Sequence, residues 1–259
     1  MKRREFLRLT AVGAVGLMRA GAPSQAAAQV TRKILIAGGN FGTGFIRYMA
    51  SLTGVHRPKL LYLPTASADS QTGIISWYQS CAPLEVYPLV QDSFIASARQ
   101  KLSWEEVLLT VDGIVASGGN TLNQQAIWRA QGIDIILRKA WDMGIVLGGA
   151  SAGSLCWFEE GTTDSRPREL TVVKGLGFLK GSHCPHYDRE KDRRPLYQKL
   201  IASGELKPGY ACDNDAGIYF ENDSVKRIVA TRADAKVYYV SAVDGRAVEK
   251  QLDAEMIEP

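Results

Sequence analysis

The sequence predicts an α/β fold in three layers, α/β/α, with helices on both faces of a mainly parallel central sheet. Short continuous apolar runs, typical of strands buried on both faces, alternate with stretches in which apolar residues recur at helical spacing. This alternation is typical of parallel sheets joined by helical crossovers. Toward the C-terminus, shorter and half-exposed runs separated by turn residues predict antiparallel strands.

The predicted elements follow in chain order. The strands of the parallel sheet are predicted at 33–37, 59–64, 113–117 and 144–148. Between them lie stretches whose apolar residues recur at helical spacing, which predict helices at about 42–52, 72–81, 103–110 and 122–140. The antiparallel strands are predicted at 217–220, 226–229 and 236–240. Functional sites of parallel sheets lie at the carboxyl ends of the strands, which here carry the residues of 38–40, 64–66, 118–120 and 150–152.

Glycines at 38–44 follow the first predicted strand and superficially suggest a dinucleotide-binding loop. Their spacing does not fit the G-x-G-x-x-G pattern, and no acidic residue closes a second strand at the expected distance. We therefore predict a close backbone turn at the top of the sheet.

The first 28 residues have the three parts of a bacterial export signal. A basic start is followed by an apolar stretch over 9–18 and by small residues ending in the A-x-A pattern of Ala26 and Ala28. The apolar stretch is too short to span a bilayer, which needs roughly 20 residues. The adjacent Arg3 and Arg4 predict twin-arginine export, cleavage near the second alanine, and a periplasmic or secreted protein. An amphipathic first helix is the alternative.

Charge and composition exclude several classes of protein. The chain has 31 Lys+Arg and 27 Asp+Glu, a formal net charge of +4, and a pI near 8.8, which raises the question of a nucleic-acid partner. Residues 1–28 hold five of the basic residues and one acidic residue, so 29–259, predicted as a single domain, has no net charge. We therefore expect no nucleic-acid partner. The composition also argues against disorder, collagen and a coiled coil, and no other apolar run approaches a membrane span.

The four cysteines are too few for a disulfide scaffold. After export they would face an oxidising compartment, and a bridge between Cys184 and Cys212 would tie together two segments that carry candidate site residues. Cys156 is better explained as a small buried hydrophobe.

A strand-to-helix turn at 149–153 carries the motif with the most chemistry. These residues read GASAG, with a predicted strand before them and an apolar segment after them. In a nucleophile elbow, a sharp turn of this G-x-S-x-G type lifts the serine above the sheet. The following helix N-terminus favours the negative charge that develops in acyl transfer. We predict Ser151 as a nucleophile; the alternative is a tight turn with a small residue for packing.

A nucleophilic serine needs a base, and the chain contains three histidines. His56 lies in a polar connection and is best explained as a surface residue. His183 and His186 remain as candidates, both after Ser151. In an α/β-hydrolase the histidine comes late, after an acidic residue, and no histidine follows His186, so that layout is excluded. Alternatively, the two histidines are loop residues or form a metal cluster with Cys184, although their spacing fits zinc poorly.

A third residue must orient the base and stabilise the imidazolium. The candidates are carboxylates or amides further along the chain, namely Asp164, Asp213, Asn214 and Asp215, and the residues alone leave the choice open. The second half of an oxyanion hole is expected at another strand end. The GGNT segment at 118–121 suits it, because glycine lets a backbone N–H approach a substrate closely.

Three motifs in this order resemble the peptidase E (aspartyl dipeptidase) family of serine peptidases, to which cyanophycinases are related. They are GGNT at 118–121, GASAG at 149–153 and PHY at 185–187, and the resemblance covers about residues 33–230. It implies a fold like that of the class I glutamine amidotransferases, with a serine in place of their cysteine.

The resemblance also implies roles for individual residues. Ser151 would be the nucleophile and His186 the base, and the N–H groups of Gly119 and Ala152 would form the oxyanion hole. The family's third member is a glutamate, whereas the best register places Asn214 in that position.

Either Asn214 serves, as asparagine does in papain-like enzymes, or Asp213 takes the role. For aspartyl specificity the family uses an arginine near the site. Arg193 and Arg194 follow the histidine, and either could bind a substrate carboxylate bidentately. Asn120, at the predicted oxyanion segment, is a further candidate for substrate binding. Alternatively, the two arginines belong to the solvent-exposed start of a helix that carries charges of both signs and has no role in substrate binding.

We therefore predict an exported serine peptidase that hydrolyses short peptides and is of the dipeptidase or exopeptidase type. No cofactor, metal or membrane contact beyond export is expected, and a homodimer is compatible with the sequence. A cyanophycinase-like exopeptidase or another acyl hydrolase is the first alternative. A catalytically silent binding module with the same fold is the second.

Overall fold

The described strands form two sheets. The structure is a computed structural model that describes residues 30–259, so the predicted signal peptide over 1–28 lies outside the described residues. The strands are β1 (Lys33–Ala37), β2 (Lys59–Leu63), β3 (Tyr87–Val90), β4 (Gly113–Ala116), β5 (Val146–Ala150), β6 (Phe158–Thr163), β7 (Thr171–Lys174), β8 (Leu179–Cys184), β9 (Gly209–Cys212), β10 (Ala216–Glu221), β11 (Ser224–Ala230), β12 (Val237–Val243), β13 (Arg246–Leu252) and β14 (Glu255–Met256). The α-helices are α1 (Thr43–Thr53), α2 (Gln71–Cys81), α3 (Trp104–Leu108), α4 (Thr121–Gln131), α5 (Ile133–Asp142), α6 (Ala152–Leu155) and α7 (Arg193–Ala202).

The larger sheet has eight strands in the order β14-β11-β10-β1-β5-β4-β2-β3. From β1 through β5, β4 and β2 to β3 all pairings are parallel, whereas β10 runs antiparallel to both β1 and β11. Parallel neighbours need crossover connections, and the helices predicted between the apolar runs supply them. The predicted α/β class with a mainly parallel central sheet is therefore confirmed.

Both faces of the larger sheet are buried. Along β1, Leu35 and Ala37 face the layer of α1 and α2, whereas Ile34 and Ile36 face the opposite layer. That opposite layer consists of α3, α4 and α5 together with residues of the smaller sheet. Burial on both faces explains why the parallel strands read as continuous apolar runs.

The smaller sheet has six strands in the order β13-β12-β9-β8-β6-β7, and we did not predict it. The antiparallel strand expected at 236–240 is β12 and belongs to this sheet, whereas the two other predicted antiparallel strands are β10 and β11 of the larger sheet. Phe158, Leu179 and Cys212 pack this sheet against the core of the larger one. Apart from β12, its strands are short or contain polar and glycine residues, as in the FEEGTT of β6, and so lack the longer apolar runs that reveal a strand.

Two predicted boundaries are wrong. The helix expected over 122–140 is interrupted at Gly132, whose φ of 71° ends α4 and begins α5. Glycine adopts this left-handed conformation at little cost. The strand expected at 144–148 begins at Val146, because the N–H groups of Gly144 and Ile145 still close the end of α5. Within 30–259, no helix is both long enough and apolar enough to cross a bilayer.

Candidate active site

Ser151 lies at the sharp turn between β5 and α6. Its backbone has φ 56° and ψ −119°, which costs a non-glycine residue about 1–3 kcal/mol. The flanking glycines make the turn possible. A Cβ on Gly149 would lie 2.4 Å from Ala116 O, and a Cβ on Gly153 would lie 2.0 Å from the same oxygen. The turn therefore has the geometry of a nucleophile elbow, with a partly exposed serine.

His186 reaches Ser151 from the smaller sheet. It lies two residues after β8 with φ 55°, and its N–H donates to Gly38 O at the end of β1 over 3.2 Å. Its Nε2 lies 2.8 Å from Ser151 Oγ. This is the distance at which a general base can take a hydroxyl proton.

Asn214 contacts the other nitrogen of the same imidazole. It follows β9, where the chain crosses from the smaller sheet to β10 of the larger sheet. Its Oδ1 lies 2.8 Å from His186 Nδ1. An amide oxygen can only accept a hydrogen bond, so Nδ1 carries the proton and Nε2 is left as the acceptor for Ser151. The structure therefore brings Ser151, His186 and Asn214 into one hydrogen-bonded line.

The predicted acidic alternatives have other partners. Asp213 Oδ2 accepts from the N–H of Lys236 at 2.9 Å, and burial raises the pKa of this carboxyl although that hydrogen bond opposes the shift. Asp164 pairs with Arg193 at 3.4 Å. The alternative in which Asp213 orients His186 is therefore corrected. Asp213 lies one residue before Asn214, and its side chain points instead toward the backbone of Lys236, just before β12.

A charged network that we did not predict holds the backbone of Asn214. Asp188 Oδ1 accepts from Asn214 N at 2.8 Å, and Arg232 donates to Asn214 O at 3.0 Å. Arg232 also bonds Asp188 Oδ2 at 2.8 Å and Asp215 Oδ2 at 3.2 Å. Because the N–H and the C=O of Asn214 are both hydrogen-bonded, its backbone is fixed in the position from which the side chain reaches His186. No local motif marks Arg232, so only the tertiary structure reveals this network.

The glycines after β1 allow this connection to come close. A Cβ on Gly39 would lie 2.2 Å from Asn214 Oδ1, and a Cβ on Gly38 would lie 2.3 Å from Asp213 O. Real Cβ atoms do not approach other atoms to such distances. The turn predicted at 38–44 is thus the place where the end of β1 meets the residues after β9.

Gly119 and Ala152, the predicted oxyanion-hole donors, lie in the two segments that flank Ser151. Gly119 is exposed after β4 with φ 131°, a conformation open mainly to glycine, and a Cβ there would lie 2.2 Å from Ala66 O. Ala152 is the first residue of α6, where backbone N–H groups have no partner within the helix. A Cβ on the neighbouring Gly118 would lie 3.4 Å from Ser151 Cβ, which is ordinary van der Waals contact. The glycine segment after β4 therefore packs beside the serine.

His183, the other candidate base, is fully buried in the smaller sheet. Its Nδ1 lies 3.0 Å from Tyr210 O, its Nε2 lies 3.0 Å from Ser154 Oγ, and its ring stacks on Phe158 with centroids 4.9 Å apart. Burial lowers the pKa of His183 to about 3, so the ring is neutral at ordinary pH. Among residues 30–259, no group of His, Cys, Asp or Glu side chains has a geometry that could hold a metal ion.

The four cysteines are buried and unpaired. Cys184 lies opposite Ala211 in the pairing of β8 with β9, so its neighbour Cys212 points to the other face of the sheet. Accordingly, Cys184 packs with Tyr187 and Cys212 packs with Phe158, in separate clusters. The predicted bridge between Cys184 and Cys212 is therefore wrong.

Two of the predicted substrate-binding side chains are held by the protein itself. Asn120 caps α4 by accepting from Asn123 N at 2.9 Å, and its amide donates to Ser165 O at 3.1 Å. Arg193 is 2% exposed, and its Nε donates to Glu190 at 2.6 Å. The structure corrects both predictions, because a capping amide and a buried, paired guanidinium are not free to bind a substrate.

The third predicted side chain, Arg194, is paired with Glu249. Its Nε lies 3.1 Å from Glu249 Oε1, and a second nitrogen bonds Oε2. The guanidinium lies over the rings of Tyr187 and Tyr238, 5.1 and 5.0 Å from their centroids. An internal carboxylate therefore holds the arginine, and its role in substrate binding stays a prediction.

The fold and the site define a class of protein: α/β hydrolytic enzymes with a serine on a strand-to-helix turn and an imidazole against its hydroxyl. Comparison with known proteins then identifies the family. The model of Peptidase family S51 matches residues 34–228, so the chain belongs to Peptidase family S51 and is a peptidase. The resemblance to the peptidase E family is thereby confirmed.

Individual relatives agree with this assignment. The chain is 41% identical over 211 residues to the uncharacterized peptidase YgaJ of Bacillus subtilis (strain 168), covering 82% of this chain and 90% of that protein. A peptidase from an acI-B1 actinobacterium has a TM-score of 0.69 at 16% identity, covering 88% of this chain and 97% of its own. A putative peptidase E protein from Listeria monocytogenes EGD-e has a TM-score of 0.57 at 16% identity, covering 78% and 100%. The two structural likenesses show the shared fold.

Proposed function

We propose that this chain is a serine peptidase that cleaves short peptides through Ser151, His186 and Asn214. The observation that carries the proposal is the pair of contacts at 2.8 Å, from Ser151 Oγ to His186 Nε2 and from His186 Nδ1 to Asn214 Oδ1. Membership in Peptidase family S51 supports peptide-bond hydrolysis. The resemblance to peptidase E supports short peptides as the substrates.

In the proposed reaction, Ser151 Oγ attacks the scissile carbonyl while His186 Nε2 takes its proton. The carbonyl oxygen gains negative charge, which the N–H groups of Gly119 and Ala152 stabilise. The imidazolium then protonates the leaving amine as the C–N bond breaks, which leaves an acyl-enzyme on Ser151. A water molecule, deprotonated by His186, hydrolyses this ester and regenerates the serine.

Asn214 acts in this scheme as a positioning residue without a charge. Because its oxygen accepts Nδ1–H, the neutral imidazole presents the lone pair of Nε2 to Ser151. A carboxylate in the same place would also stabilise the imidazolium electrostatically. Here the nearby carboxylate, Asp188, instead holds the backbone N–H of Asn214.

The proposal is tested by digestion of a mixture of dipeptides and tripeptides, with mass spectrometry of the products. We expect the wild-type chain to release new amines and the Ser151→Ala variant to release none. Ser224→Ala, which removes an exposed hydroxyl at the start of β11, far from the proposed reaction, is the matched control and should retain activity. Equal cleavage by Ser151→Ala would contradict the proposal. Peptide binding without cleavage by the wild type would favour the silent binding module.

We also propose that the chain is exported by the twin-arginine route. The basic start, the short apolar stretch and the A-x-A pattern support this, and β1 begins only at Lys33, so cleavage near Ala28 leaves every described strand intact. N-terminal sequencing of protein recovered from a bacterial periplasm should show a start just after Ala28. Replacing Arg3 and Arg4 by lysine should retain the chain in the cytoplasm. Periplasmic protein with an intact Met1 would contradict the predicted cleavage.

A further inference from the structure

We infer that a pocket beside Ser151 selects an uncharged, apolar or ring-bearing side chain on the acyl side of the scissile bond. This inference rests on the proposed function, because it names the substrate of the same site. The pocket, here called the aromatic pocket, is defined by Phe41, Tyr62, Trp77 and Ser117, and its volume is about 200 Å³. Pockets for whole small-molecule ligands hold roughly 300–1,000 Å³. The aromatic pocket is therefore the size for one side chain.

The wall of the aromatic pocket adjoins the residues of the proposed reaction. Its wall includes Gly118, which lies against the Ser151 side chain, and Ala150, which precedes the serine. The wall also includes Gly39, the glycine that contacts the side chain of Asn214. A peptide whose carbonyl carbon lies at Ser151 Oγ would therefore place an adjacent side chain at the mouth of this pocket.

The position of His186 indicates which side of the peptide faces the pocket. His186 comes from the smaller sheet, which packs on the α3–α5 face of the larger sheet. Tyr62 and Trp77 belong to the core on the opposite face, under α1 and α2. The leaving amine must face His186 to receive its proton. The side chain on the acyl side is then the one that faces the aromatic pocket.

The lining of the aromatic pocket determines the chemistry that it accepts. No residue of its wall is charged. The rings of Tyr62 and Trp77 stack with centroids 5.3 Å apart and an interplanar angle of 11°, which offers an aromatic surface. A carboxylate placed here would lose its water without gaining a cation, which disfavours the charged form strongly.

One donor of the wall has no partner among the described residues. Trp77 is 4% exposed and its Nε1 makes no hydrogen bond, whereas buried donors are ordinarily satisfied. Neither this donor nor any other group of the wall is a cation. Aspartyl selectivity would need a cation, and Arg193 and Arg194 are already paired.

The inference is tested with a series of short peptides that differ only in the acyl-side residue, which is Tyr, Phe, Leu, Asp or Lys. We expect kcat/KM for Tyr and Phe to exceed that for Asp by about tenfold or more. In Ser76→Lys, an ammonium is added at the exposed rim of the aromatic pocket, which should move the Asp-to-Phe ratio toward Asp by about tenfold. Gln79→Lys, exposed on the same helix but outside the pocket wall, is the matched control and should leave the ratio unchanged.

The outcomes separate this inference from the proposed function. An enzyme that cleaves Asp peptides best, or an unchanged ratio in Ser76→Lys, would overturn the aromatic pocket as the specificity site while leaving Ser151 as nucleophile. A wild-type chain that neither cleaves any peptide of the series nor reacts with a fluorophosphonate would overturn the proposed function and this inference with it.

Discussion

The two halves of the candidate active site come from different sheets and are built differently. In the larger sheet, the parallel neighbours β4 and β5 end just before Gly118–Gly119 and Ser151. In the smaller sheet, the parallel neighbours β8 and β9 end two residues before His186 and Asn214. The nucleophile half is therefore a pair of backbone turns shaped by glycines. The base half is a set of side chains held by hydrogen bonds.

This difference predicts different responses to substitution. In the nucleophile half, a substitution either removes the reacting atom or collides with backbone, as a Cβ on Gly153 would with Ala116 O at 2.0 Å. In the base half, a substitution can turn an amide or a ring while the fold persists. Measurements that pair activity with stability can therefore separate the two halves.

The largest effect is expected in the nucleophile half. Ser151→Ala should lower kcat/KM for short peptides by about 10³-fold or more, because the acyl-enzyme cannot form without the hydroxyl. The thermal midpoint should change little, since in the described structure this hydroxyl bonds only His186. Steady-state kinetics and circular-dichroism melting measure the two quantities. A variant that retains more than a tenth of the activity would contradict the role of Ser151.

Asn214→Ala should have the next largest effect, in the base half. We expect kcat to fall by about 10²-fold with little change in KM, because the imidazole loses the bond at Nδ1 that fixes its tautomer. Asn214→Asp should restore most of the activity, since a carboxylate oxygen can accept the same bond.

Asp213→Asn is the matched control for Asn214→Ala. Its side-chain oxygen can still accept from Lys236 N, so the activity should remain near that of the wild type. If Asp213→Asn lost as much activity as Asn214→Ala, the assignment of the third residue would have to move to Asp213.

Gly39→Ala tests the contact where the two halves meet, with a smaller expected loss. The new Cβ would lie 2.2 Å from Asn214 Oδ1, so the amide must turn away from His186. We expect kcat to fall by about tenfold, less than the roughly 10²–10⁴-fold that a positioned general base contributes, because His186 keeps its contact with Ser151. In the double variant Gly39→Ala, Asn214→Ala, the glycine substitution should add little, because the side chain that it displaces is gone. Fully additive losses would contradict this coupling.

His183 should affect stability rather than chemistry. Its pKa is about 3 in the folded chain, against 6.5 for an ordinary histidine, so the unfolded chain binds the extra proton. Folding stability contributed by the neutral ring is therefore complete above pH 6.5 and falls by about 1.4 kcal/mol for each unit below it, down to about pH 3. Urea unfolding between pH 6.5 and 4.5 should show this slope in the wild type and a shallower one in His183→Gln. Equal slopes would contradict the buried neutral state.

The nucleophile half could be predicted because its signals are local. A run of five residues, GASAG, directly after an apolar strand specifies the turn that carries Ser151. The base half depends on contacts between distant segments, so the residues alone left Asp213 and Asn214 as alternatives. A shift of one residue decides which side chain meets His186, and Arg232 and Asp188 help to set that register.

Other features had no signal in the sequence for physical reasons. The smaller sheet was missed because its strands mix polar and apolar residues. Arg193 and Arg194 were predicted as substrate ligands from the resemblance to peptidase E and from their position after the histidine. Their internal partners Glu190 and Glu249 became visible only in the folded chain. The aromatic pocket joins residues after β1, residues at the ends of β2, β4 and β5, and residues of α2, and no motif unites those segments.

The central claim is that Ser151 is a nucleophile activated by His186. The most direct test is reaction of the full chain with a compact fluorophosphonate, followed by peptide-mapping mass spectrometry. We predict one adduct, on Ser151, with labelling at least about tenfold slower in His186→Ala and absent in Ser151→Ala. A wild-type chain that stays unlabelled, or an adduct that persists in Ser151→Ala, would contradict the claim.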